Sequence, residues 1–297
     1  KPHAKTQAAA ALRNLAVNED NKVAIAEGGA IPPLVALLID GETDEAKTNA
    51  AGALKNLAGN GQNKVTIYEN SGIYPLVQLL IHGTDEGKAQ AAGALGSLAC
   101  NADLQVIIAG HEAIGPLVKL LKEGTEEGKI RAAGALGNLA SNAANKITIA
   151  NTGAIGSLIQ LLSNASEEGK VQAAGAIRNL AVNSSIQMRL AEEGAITSLA
   201  DYLKVASEEG KVQAAWALYN VDCHEDLTER VEKETGYTRE QLHDIKKTCK
   251  RVSFISSGEV SDLDNRPSAE FFKSIYTGPS RNRSNDEKIS RHKKDLQ

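Results

Sequence analysis

Aromatic residues are scarce in this chain of 297 residues: they make up 3% of the sequence, with a single Trp and three Phe. Apolar residues make up 42% and charged residues 24%, the balance of an ordinary folded protein. Because large aromatic side chains usually contribute much of a core, this one must be built from Ala, Leu, Ile and Val. The composition therefore predicts a folded protein whose interior consists of small and aliphatic side chains.

Other absences exclude whole classes of protein. Three widely spaced cysteines exclude a disulfide framework and indicate a reducing compartment, so we expect a cytoplasmic location, with the nucleus as a second compartment. No run approaches the roughly 18 apolar residues of a membrane-spanning helix, and we expect no membrane insertion. A net charge of −4 argues against a general nucleic-acid binder. The first residues contain neither Met nor an apolar signal core, which predicts a piece of a longer chain.

Motifs of catalysis are missing as well. The sequence contains no GxxxxGK[ST] phosphate loop, no GxSxG elbow, no HExxH and no CxxC. Four possible metal ligands, Cys223, His224, His243 and Cys249, are spaced as in no common zinc site. We therefore expect no enzyme, no cofactor and no metal.

What the sequence does contain is a tandem repeat. The recurring strings are QAAAALRNLAVN, NAAGALKNLAGN, QAAGALGSLACN, RAAGALGNLASN, QAAGAIRNLAVN and QAAWALYNVDCH. Their aligned aliphatic residues are separated by 42, 41, 41, 41 and 41 residues: Leu12, Leu54, Leu95, Leu136, Ile177 and Leu218. A period this constant predicts a solenoid of stacked units.

Each period reads as three helices. In residues 143–183, AANKITIANTG predicts a short first helix with Ile147 and Ile149 buried and Gly153 at its end. AIGSLIQLLSN has the spacing of one buried helical face. The third helix follows an N-cap residue and begins with acidic residues, which the helix dipole favours. The expected N-caps are Thr84, Thr125, Ser166 and Ser207. An Asn follows each third helix and is expected to end it in the left-handed conformation: Asn18, Asn60, Asn101, Asn142 and Asn183.

The strings GAIPPLVALL, GAIGPLVKLL and GAIGSLIQLL, each followed by AAGALxNLA-type segments, resemble armadillo repeats of the beta-catenin, vacuolar and plant types. The resemblance implies an all-α fold, a right-handed α-solenoid, over residues 1–222. We assign a half repeat to residues 1–18 and full repeats to 19–60, 61–101, 102–142, 143–183 and 184–222. Leu12 and Leu15 in the half repeat would normally be covered by preceding helices.

The residues after the repeats differ from them in amino-acid composition. We predict a helical cap over 223–254, with Leu227 and Val231 facing inward and a capping box from Thr238 to Gln241. Residues 255–297 are rich in Ser, Asn, Asp and Arg and are expected to be disordered. The basic patches KKTCKR and RHKK are expected to be solvated, and FFKSIY (271–276) is the one segment of this tail that could dock.

One face of every third helix is predicted to line the concave side of the solenoid. Residues at i, i+3 and i+7 share that face. The resulting triplets are Gln7, Ala10, Asn14; Asn49, Gly52, Asn56; Gln90, Gly93, Ser97; Arg131, Gly134, Asn138; Gln172, Gly175, Asn179; and Gln213, Trp216, Asn220. Five of the six last positions are Asn, a poor helix former.

Two explanations of this Asn column remain open. An amide can bond to neighbouring backbone near a helix end. Alternatively, its donors and acceptor can pair with the backbone of an extended peptide, which is also what the armadillo resemblance implies. In that case we expect the amides to face away from the core, so that their removal would leave stability nearly unchanged.

The triplets also depart from one branch of the family. Import adaptors of the importin-alpha kind have Trp four residues before the Asn, where this chain has Trp only at 216 and otherwise Ala or Gly. Without that aromatic wall a Lys slot is lost, and the Gly residues predict a shallow groove open to bulky partner side chains, unless they serve close helix packing. Arg13, Lys55 and Arg178 precede Asn residues; beta-catenin-like proteins receive acidic partners with groove cations, but solvated surface residues are the simpler expectation.

We therefore predict a monomeric, non-catalytic scaffold that binds extended peptide segments of other proteins. The predicted contacts are Asn14, Asn56, Ser97, Asn138, Asn179, Asn220, Trp216, Gln90, Arg131, Gln172 and Gln213. The alternatives are an import-type cargo adaptor and the substrate-recognition region of a ubiquitin ligase.

Overall fold

The computed structural model describes residues 2–245, and every structural statement below concerns that part of the chain. The predictions for Cys249, KKTCKR, RHKK, FFKSIY and the tail 255–297 lie outside it. The described residues belong to one compact unit. It is built from α-helices, and no strand occurs between residues 2 and 245.

Helices of equal length recur at the positions where the repeated strings predict the third helices. Each has 14 residues: α1 (Pro2–Leu15), α4 (Asp44–Leu57), α7 (Asp85–Leu98), α10 (Glu126–Leu139), α13 (Glu167–Leu180) and α16 (Glu208–Val221). Each of these third helices packs against the next one along the chain. They form one continuous layer, which in a solenoid of this kind lines the concave side.

The first and second helices of each repeat form the remaining layers. The first helices are α2 (Glu19–Glu27), α5 (Gly61–Glu69), α8 (Ala102–Gly110), α11 (Ala143–Asn151) and α14 (Ser184–Glu192). The second helices are α3 (Ile31–Asp40), α6 (Ile73–His82), α9 (Ile114–Glu123), α12 (Ala154–Asn164) and α15 (Ala195–Val205). The chain turns by 81° between α2 and α3 and by 84° between α8 and α9. Every second helix then packs on the third helix of its own repeat.

The starts of the third helices are mostly as predicted. Thr84, Thr125 and Ser207 accept a hydrogen bond from the backbone N–H three residues later, with oxygen–nitrogen distances of 3.2, 3.3 and 3.1 Å. Ser166 occupies the same position without such a bond. Acidic residues fill the first turns of α7, α10, α13 and α16, where their charge meets the positive end of the helix dipole.

The prediction for the Asn residues after the third helices was wrong. Asn18, Asn60, Asn101, Asn142 and Asn183 have φ between −77° and −97°, outside the left-handed region. Each is the N-cap of the following first helix. Its side-chain oxygen accepts from backbone N–H groups of that helix, as Asn142 does from Ala144 (3.0 Å) and Asn145 (3.2 Å). Three residues separate α10 from α11, and the last of them, Asn142, is the N-cap of α11.

The left-handed conformation occurs instead between the first and second helices. It recurs once per repeat, at Gly29, Ser71, Glu112, Gly153 and Gly194, with φ between 59° and 89°. The turn demands this conformation whatever residue is present, and Ser71 and Glu112 adopt it at a steric cost that glycine avoids.

The core runs the length of the described solenoid. In α4, for example, Ala50, Ala51, Ala53, Leu54 and Leu57 are all fully buried. The prediction for the first helix of residues 143–183 was half right, because Ile149 is buried whereas Ile147 is 48% exposed. A helix of nine residues buries only one narrow face, and Ile147 lies outside it.

The residues after α16 close the end of this core. A short 3-10 turn (Glu225–Leu227) leads into α17 (Thr228–Thr235), and Leu227 and Val231 are buried as predicted. The capping box also forms: Thr238 N donates to Gln241 Oε1 (2.8 Å) and Gln241 N donates to Thr238 Oγ1 (3.3 Å). The helix that this box begins buries Leu242.

Among the described residues, no single helix is long and apolar enough to cross a membrane. The pairs α2–α3 and α8–α9 satisfy the criterion only when the two bent helices are counted together.

The left-handed turn can be tested with a matched pair of glycines. A side chain at either Gly194 or Gly115 would meet no atom within 4 Å, but only Gly194 has positive φ, at 89°. We expect Gly194→Ala to lower the free energy of unfolding by about 1–2 kcal/mol, because Ala is strained in this conformation. Gly115→Ala in α9 should raise it by about 0.5 kcal/mol, since Ala is the better helix former. Urea denaturation measures both; equal effects would contradict the turn assignment.

Candidate binding groove

The predicted groove residues lie on the partly exposed face of the third helices. Asn138 is partly exposed, whereas its neighbours Gly137 and Leu139 are buried, and Asn179 and Asn220 are likewise partly exposed. Within the described chain, the same holds for Asn56, Ser97, Arg131, Gln172, Gln213 and Trp216, and Asn14 is more exposed. Gln90 is buried, with 6% of its surface exposed, and so presents little surface to a ligand.

Four of the Asn side chains make the same hydrogen bond to the preceding repeat. The amide nitrogen donates to the carbonyl oxygen that lies one residue before the Asn or Ser of that repeat. The pairs are Asn56 to Arg13 (2.7 Å), Asn138 to Gly96 (2.9 Å), Asn179 to Gly137 (2.7 Å) and Asn220 to Arg178 (3.0 Å). We call Asn56, Asn138, Asn179 and Asn220 the amide ladder.

This bond supplies a donor that the helix end lacks. At the end of α10, Ala140 N donates to Leu136 O and Ser141 N donates to Asn138 O. No backbone N–H of the described residues therefore donates to Gly137 O. Such helix-terminal carbonyls need a partner from elsewhere. Asn179 provides it from the next repeat.

The expectation for the ladder amides is therefore corrected on one point. They bond to backbone, but to that of a neighbouring repeat 42 or 43 residues away in sequence, not to their own helix. Their removal should affect stability, contrary to the sequence-based expectation. The bond to the preceding repeat uses only part of each amide: the Asn138 oxygen and the second N–H of Asn179 remain on the partly exposed face, whereas the Asn179 oxygen accepts from Arg178.

The ladder has one gap, at Ser97. Among residues 2–245, Ser97 makes no hydrogen bond to the Lys55 carbonyl, which is the acceptor that an Asn at this position would reach. Asn138 on the next helix also contacts the exposed Cys100, with 3.3 Å between its amide nitrogen and the Cys100 sulfur.

The space above the groove glycines is occupied by side chains of the chain itself. A Cβ built on Gly52 would lie 2.7 Å from Arg13 Cδ, and one on Gly93 would lie 2.8 Å from Lys55 Cδ. Above Gly134 lies the side-chain oxygen of Gln172, 2.9 Å from such a Cβ. The predicted shallow, open groove is thus partly filled by long polar side chains that cross from adjacent repeats.

A different pair of glycines serves close packing. Cβ atoms on Gly96 and Gly137 would lie 3.2 and 3.3 Å from Cα of Ala135 and Ala176 in the next third helix. The backbones of neighbouring third helices therefore approach closely at the residues whose carbonyls accept the ladder bonds. A short Asn side chain can span the remaining distance.

The groove cations are less solvated than the sequence suggested. Arg13, Lys55 and Arg178 are all partly buried. Burial, and then the neighbouring Arg131 and Arg13 guanidinium groups, lower the pKa of the Lys55 ammonium. Burial also lowers the pKa of Arg178, whose Nε donates to the side-chain oxygen of Asn179 (3.2 Å).

A second set of amides was not found by sequence reasoning. Asn63, Gln105, Asn145 and Gln187, all buried in the first helices, donate to carbonyls of adjacent helices or repeats at 2.8–3.0 Å. Gln187, for example, donates to both Ala181 O and Asn220 O. The available signal was an Asn or Gln three or four residues after each N-cap Asn.

The suspected metal ligands do not form a cluster within the described residues, where no three His, Cys, Asp or Glu side chains are placed to hold a metal ion. Cys223 Sγ instead lies 3.1 Å from Arg239, whose guanidinium also stacks over the Tyr219 ring at 5.2 Å and approaches the buried Asp222 at 3.6 Å. These contacts attach the last described helix to the end of α16.

Stacked three-helix units, a continuous layer of third helices and a polar groove define the class of helical-repeat solenoids. The armadillo/beta-catenin-like repeat model matches residues 18–59, 101–141 and 142–182, each within one residue of a predicted repeat. No curated protein has a significant sequence match to the chain.

Solved structures of designed proteins are similar over most of the described solenoid. A designed armadillo repeat protein, YIII(Dq)4CqI, is 31% identical with a TM-score of 0.68, and the match covers 73% of this chain and 92% of the designed one. Another, YIII(Dq.V1)4CPAF in complex with the peptide (KR)4, is 32% identical with a TM-score of 0.65, covering 72% and 92%. An engineered protein matches at 28% identity and TM-score 0.70, covering 75% and 92%. The chain belongs to the armadillo repeat family.

The contribution of the ladder hydrogen bonds to stability can be tested by removing the amide at Asn138 and adding one at Ser97. We expect Asn138→Ser to lower the free energy of unfolding by about 0.5–1.5 kcal/mol, because Gly96 O loses its amide donor and keeps only the weak Cys100 thiol donor at 3.7 Å. Ser97→Asn should raise it by a similar amount by supplying a donor to Lys55 O. Ser and Asn have similar helix propensities, so that contribution cancels. Opposite shifts in urea midpoint support the assignment, and shifts of the same sign contradict it.

Proposed function

We propose that this chain is a non-catalytic scaffold that binds extended peptide segments of other proteins along the amide ladder. The observation that carries the proposal is the fixed orientation of the ladder side chains. Asn138 and Asn179 each donate one N–H to a carbonyl of the preceding repeat, and this bond fixes the amide on the partly exposed face. The Asn138 oxygen and the second N–H of Asn179 have no hydrogen-bond partner among residues 2–245.

An extended peptide offers a matching pair of groups. Each of its residues presents a backbone N–H and a backbone C=O. The Asn138 oxygen can accept from such an N–H, and the second N–H of Asn179 can donate to such a C=O. Because the amide is already oriented by the fold, little side-chain freedom is lost on binding. Pairing of this kind reads backbone, so it suits partner segments that are unstructured before binding.

The relatives favour the same use of the groove. The designed protein YIII(Dq.V1)4CPAF was solved in complex with the peptide (KR)4, and it is 32% identical to this chain. A peptide partner for this chain is an extension of that likeness. The sequence of the partner is expected to differ, because Lys55 and Arg178 lie in the groove without an ion pair among residues 2–245 and would repel a strongly basic peptide.

The import-type alternative is disfavoured by the missing Trp residues. A cargo site for basic segments needs a way to receive Lys side chains, and the partly exposed positions that would need Trp hold Gly93, Gly134 and Gly175. We therefore expect the full chain to bind (KR)4 more weakly than a neutral peptide of equal length.

The binding test uses peptides selected on the full chain from a random phage-displayed library and measured by fluorescence anisotropy. Replacing both Asn138 and Asn179 with Ala should weaken binding. Each amide contributes about 0.5–1.5 kcal/mol net, so the double variant loses roughly 5- to 150-fold in affinity. All measurements are made well below the melting temperature of the least stable variant.

The control is Asn145→Ala. Asn145 is buried, 5% exposed, and donates to Gln105 O (3.0 Å), so its removal breaks an inter-repeat bond without touching the groove face. We expect lower stability and unchanged peptide affinity. The proposal fails if the ladder double variant binds every selected peptide like the wild type, or if Asn145→Ala weakens binding equally.

A further inference from the structure

A row of apolar side chains crosses the first helices, which form a separate layer from the third helices of the groove. The fifth residue of every first helix is Val, Ile or Met, and successive members are separated by 42, 41, 41 and 41 residues. We call these residues the apolar row: Val23, Val65, Val106, Ile147 and Met188. Val106 and Ile147, at its middle, are 58% and 48% exposed.

Packing within the repeats does not explain the apolar row. The core residue of each first helix lies two positions later, and Ile67, Ile108 and Ile149 are fully buried there. Val and Ile are poorer helix formers than Ala, so an exposed Val or Ile in a helix is unfavourable unless something covers it. The position directly after the row, by contrast, holds Ala, Thr, Ile, Thr and Arg in the five repeats. Single exposed apolar residues are ordinary, but a line of them marks an interaction surface.

Hydrogen bonds beside the row fix the spacing of its members. Asn63 donates to Lys22 O and Asn145 donates to Gln105 O, both at 3.0 Å. The two acceptor residues directly precede row residues in the sequence. Neighbouring first helices are thus held side by side, where packed helices have axes roughly 8–10 Å apart.

This spacing matches the repeat of an α-helix that lies across the first helices. A helix advances about 1.5 Å per residue, so that seven residues, which return to nearly the same face, span about 10.5 Å. Residues on one face of an extended strand recur about every 6.6 Å instead. A helical partner therefore keeps one face over successive members of the row, and a strand does not.

Exposed carboxylates border the row on both sides. They lie three residues before a row residue or four residues after it, and so share its helical face: Asp20, Asp103, Glu27, Glu69 and Glu192. No Lys or Arg occupies any of these positions in the five repeats. Lys22 and Lys146 directly precede row residues, but both are buried. The surface is therefore apolar along its middle and negative at its edges.

We propose that the apolar row is a docking surface for an amphipathic α-helix of a partner protein. The partner helix carries an apolar residue at every seventh position and basic residues on both sides of its apolar face. Because the row lies on the first helices, this surface is independent of peptide binding along the amide ladder. The chain then holds two partners at once, one extended and one helical.

The probe is a fluorescein-labelled peptide of four LKAKLAA heptads, which places Leu on one face and Lys at both of its edges. The comparison peptide has the same composition with the Leu residues distributed around the helix. We expect the full chain to bind the heptad peptide at least about 10-fold more tightly in fluorescence anisotropy. Replacing Lys with Glu in the heptad peptide should weaken binding about 10-fold or more.

The row itself is tested with the Val106→Ala, Ile147→Ala double variant. It should bind the heptad peptide about 10- to 100-fold more weakly, because roughly half of each removed side chain would be newly buried in the complex. The urea midpoint should stay the same or rise slightly, since Ala is the better helix former.

Ile39→Ala, Val205→Ala is the matched control. It removes the same two kinds of side chain from the second helices α3 and α15, where Ile39 and Val205 are 59% and 75% exposed. We expect it to bind the heptad peptide like the wild type. Equal losses in the two double variants would overturn the proposal. So would equal binding of the heptad and comparison peptides, or no saturable binding of either.

Two further measurements exclude other occupants. Sedimentation that shows a wild-type dimer lost in the Val106→Ala, Ile147→Ala variant would identify a second copy as the occupant and contradict a partner helix. The Asn138→Ala, Asn179→Ala variant should bind the heptad peptide like the wild type. If it binds as weakly as the row variant, the peptide lies in the groove and the docking surface is wrong, whatever the outcome for extended peptides.

Discussion

The hydrogen bond from an amide side chain to a carbonyl of the preceding repeat is the interaction on which this solenoid depends. Third and first helices are joined by so short a linker that the last turn of each third helix leaves one carbonyl without a backbone donor. Asn56, Asn138, Asn179 and Asn220 supply that donor from the next repeat. Each bond fixes both the spacing of two repeats and the orientation of one groove side chain.

The scarcity of aromatic residues follows from the same constraint. An Asn side chain is short, so it reaches the carbonyl only if neighbouring third helices almost touch. Gly96 against Ala135 and Gly137 against Ala176 provide that approach. A large side chain in these contacts would separate the helices and break the bond, and the Ala-rich and Gly-rich strings are the composition that such packing requires.

Sequence patterns that span a few residues predicted the fold well, whereas the contacts between repeats were not predicted. The period, the third helices, most of their N-caps and the capping box at Thr238 depend on residues a few positions apart. Asn142 was misassigned because one residue between two helices carries the signals of a helix end and of a helix start. That Asn179 reaches Gly137 O, or that Lys55 lies above Gly93, depends on the rise and rotation between repeats, which no single repeat encodes.

The ladder amides bind backbone of the preceding repeat and, as proposed, backbone of a bound peptide, and this limits how far the groove can distinguish peptide sequences. If peptides bind as proposed, every Asn of the ladder binds the same kind of backbone group. The affinity is then distributed along the groove and depends little on the peptide sequence. Selectivity must then arise where the repetition is interrupted. Among the interruptions on the groove face of the described residues, Trp216 replaces Gly on α16 and Ser97 replaces Asn on α7. Because α10 and α13 lie between them, a partner that satisfies both must be extended across these two repeats. The departures from the repeat, more than the repeat itself, would then determine which segment is bound and in which register.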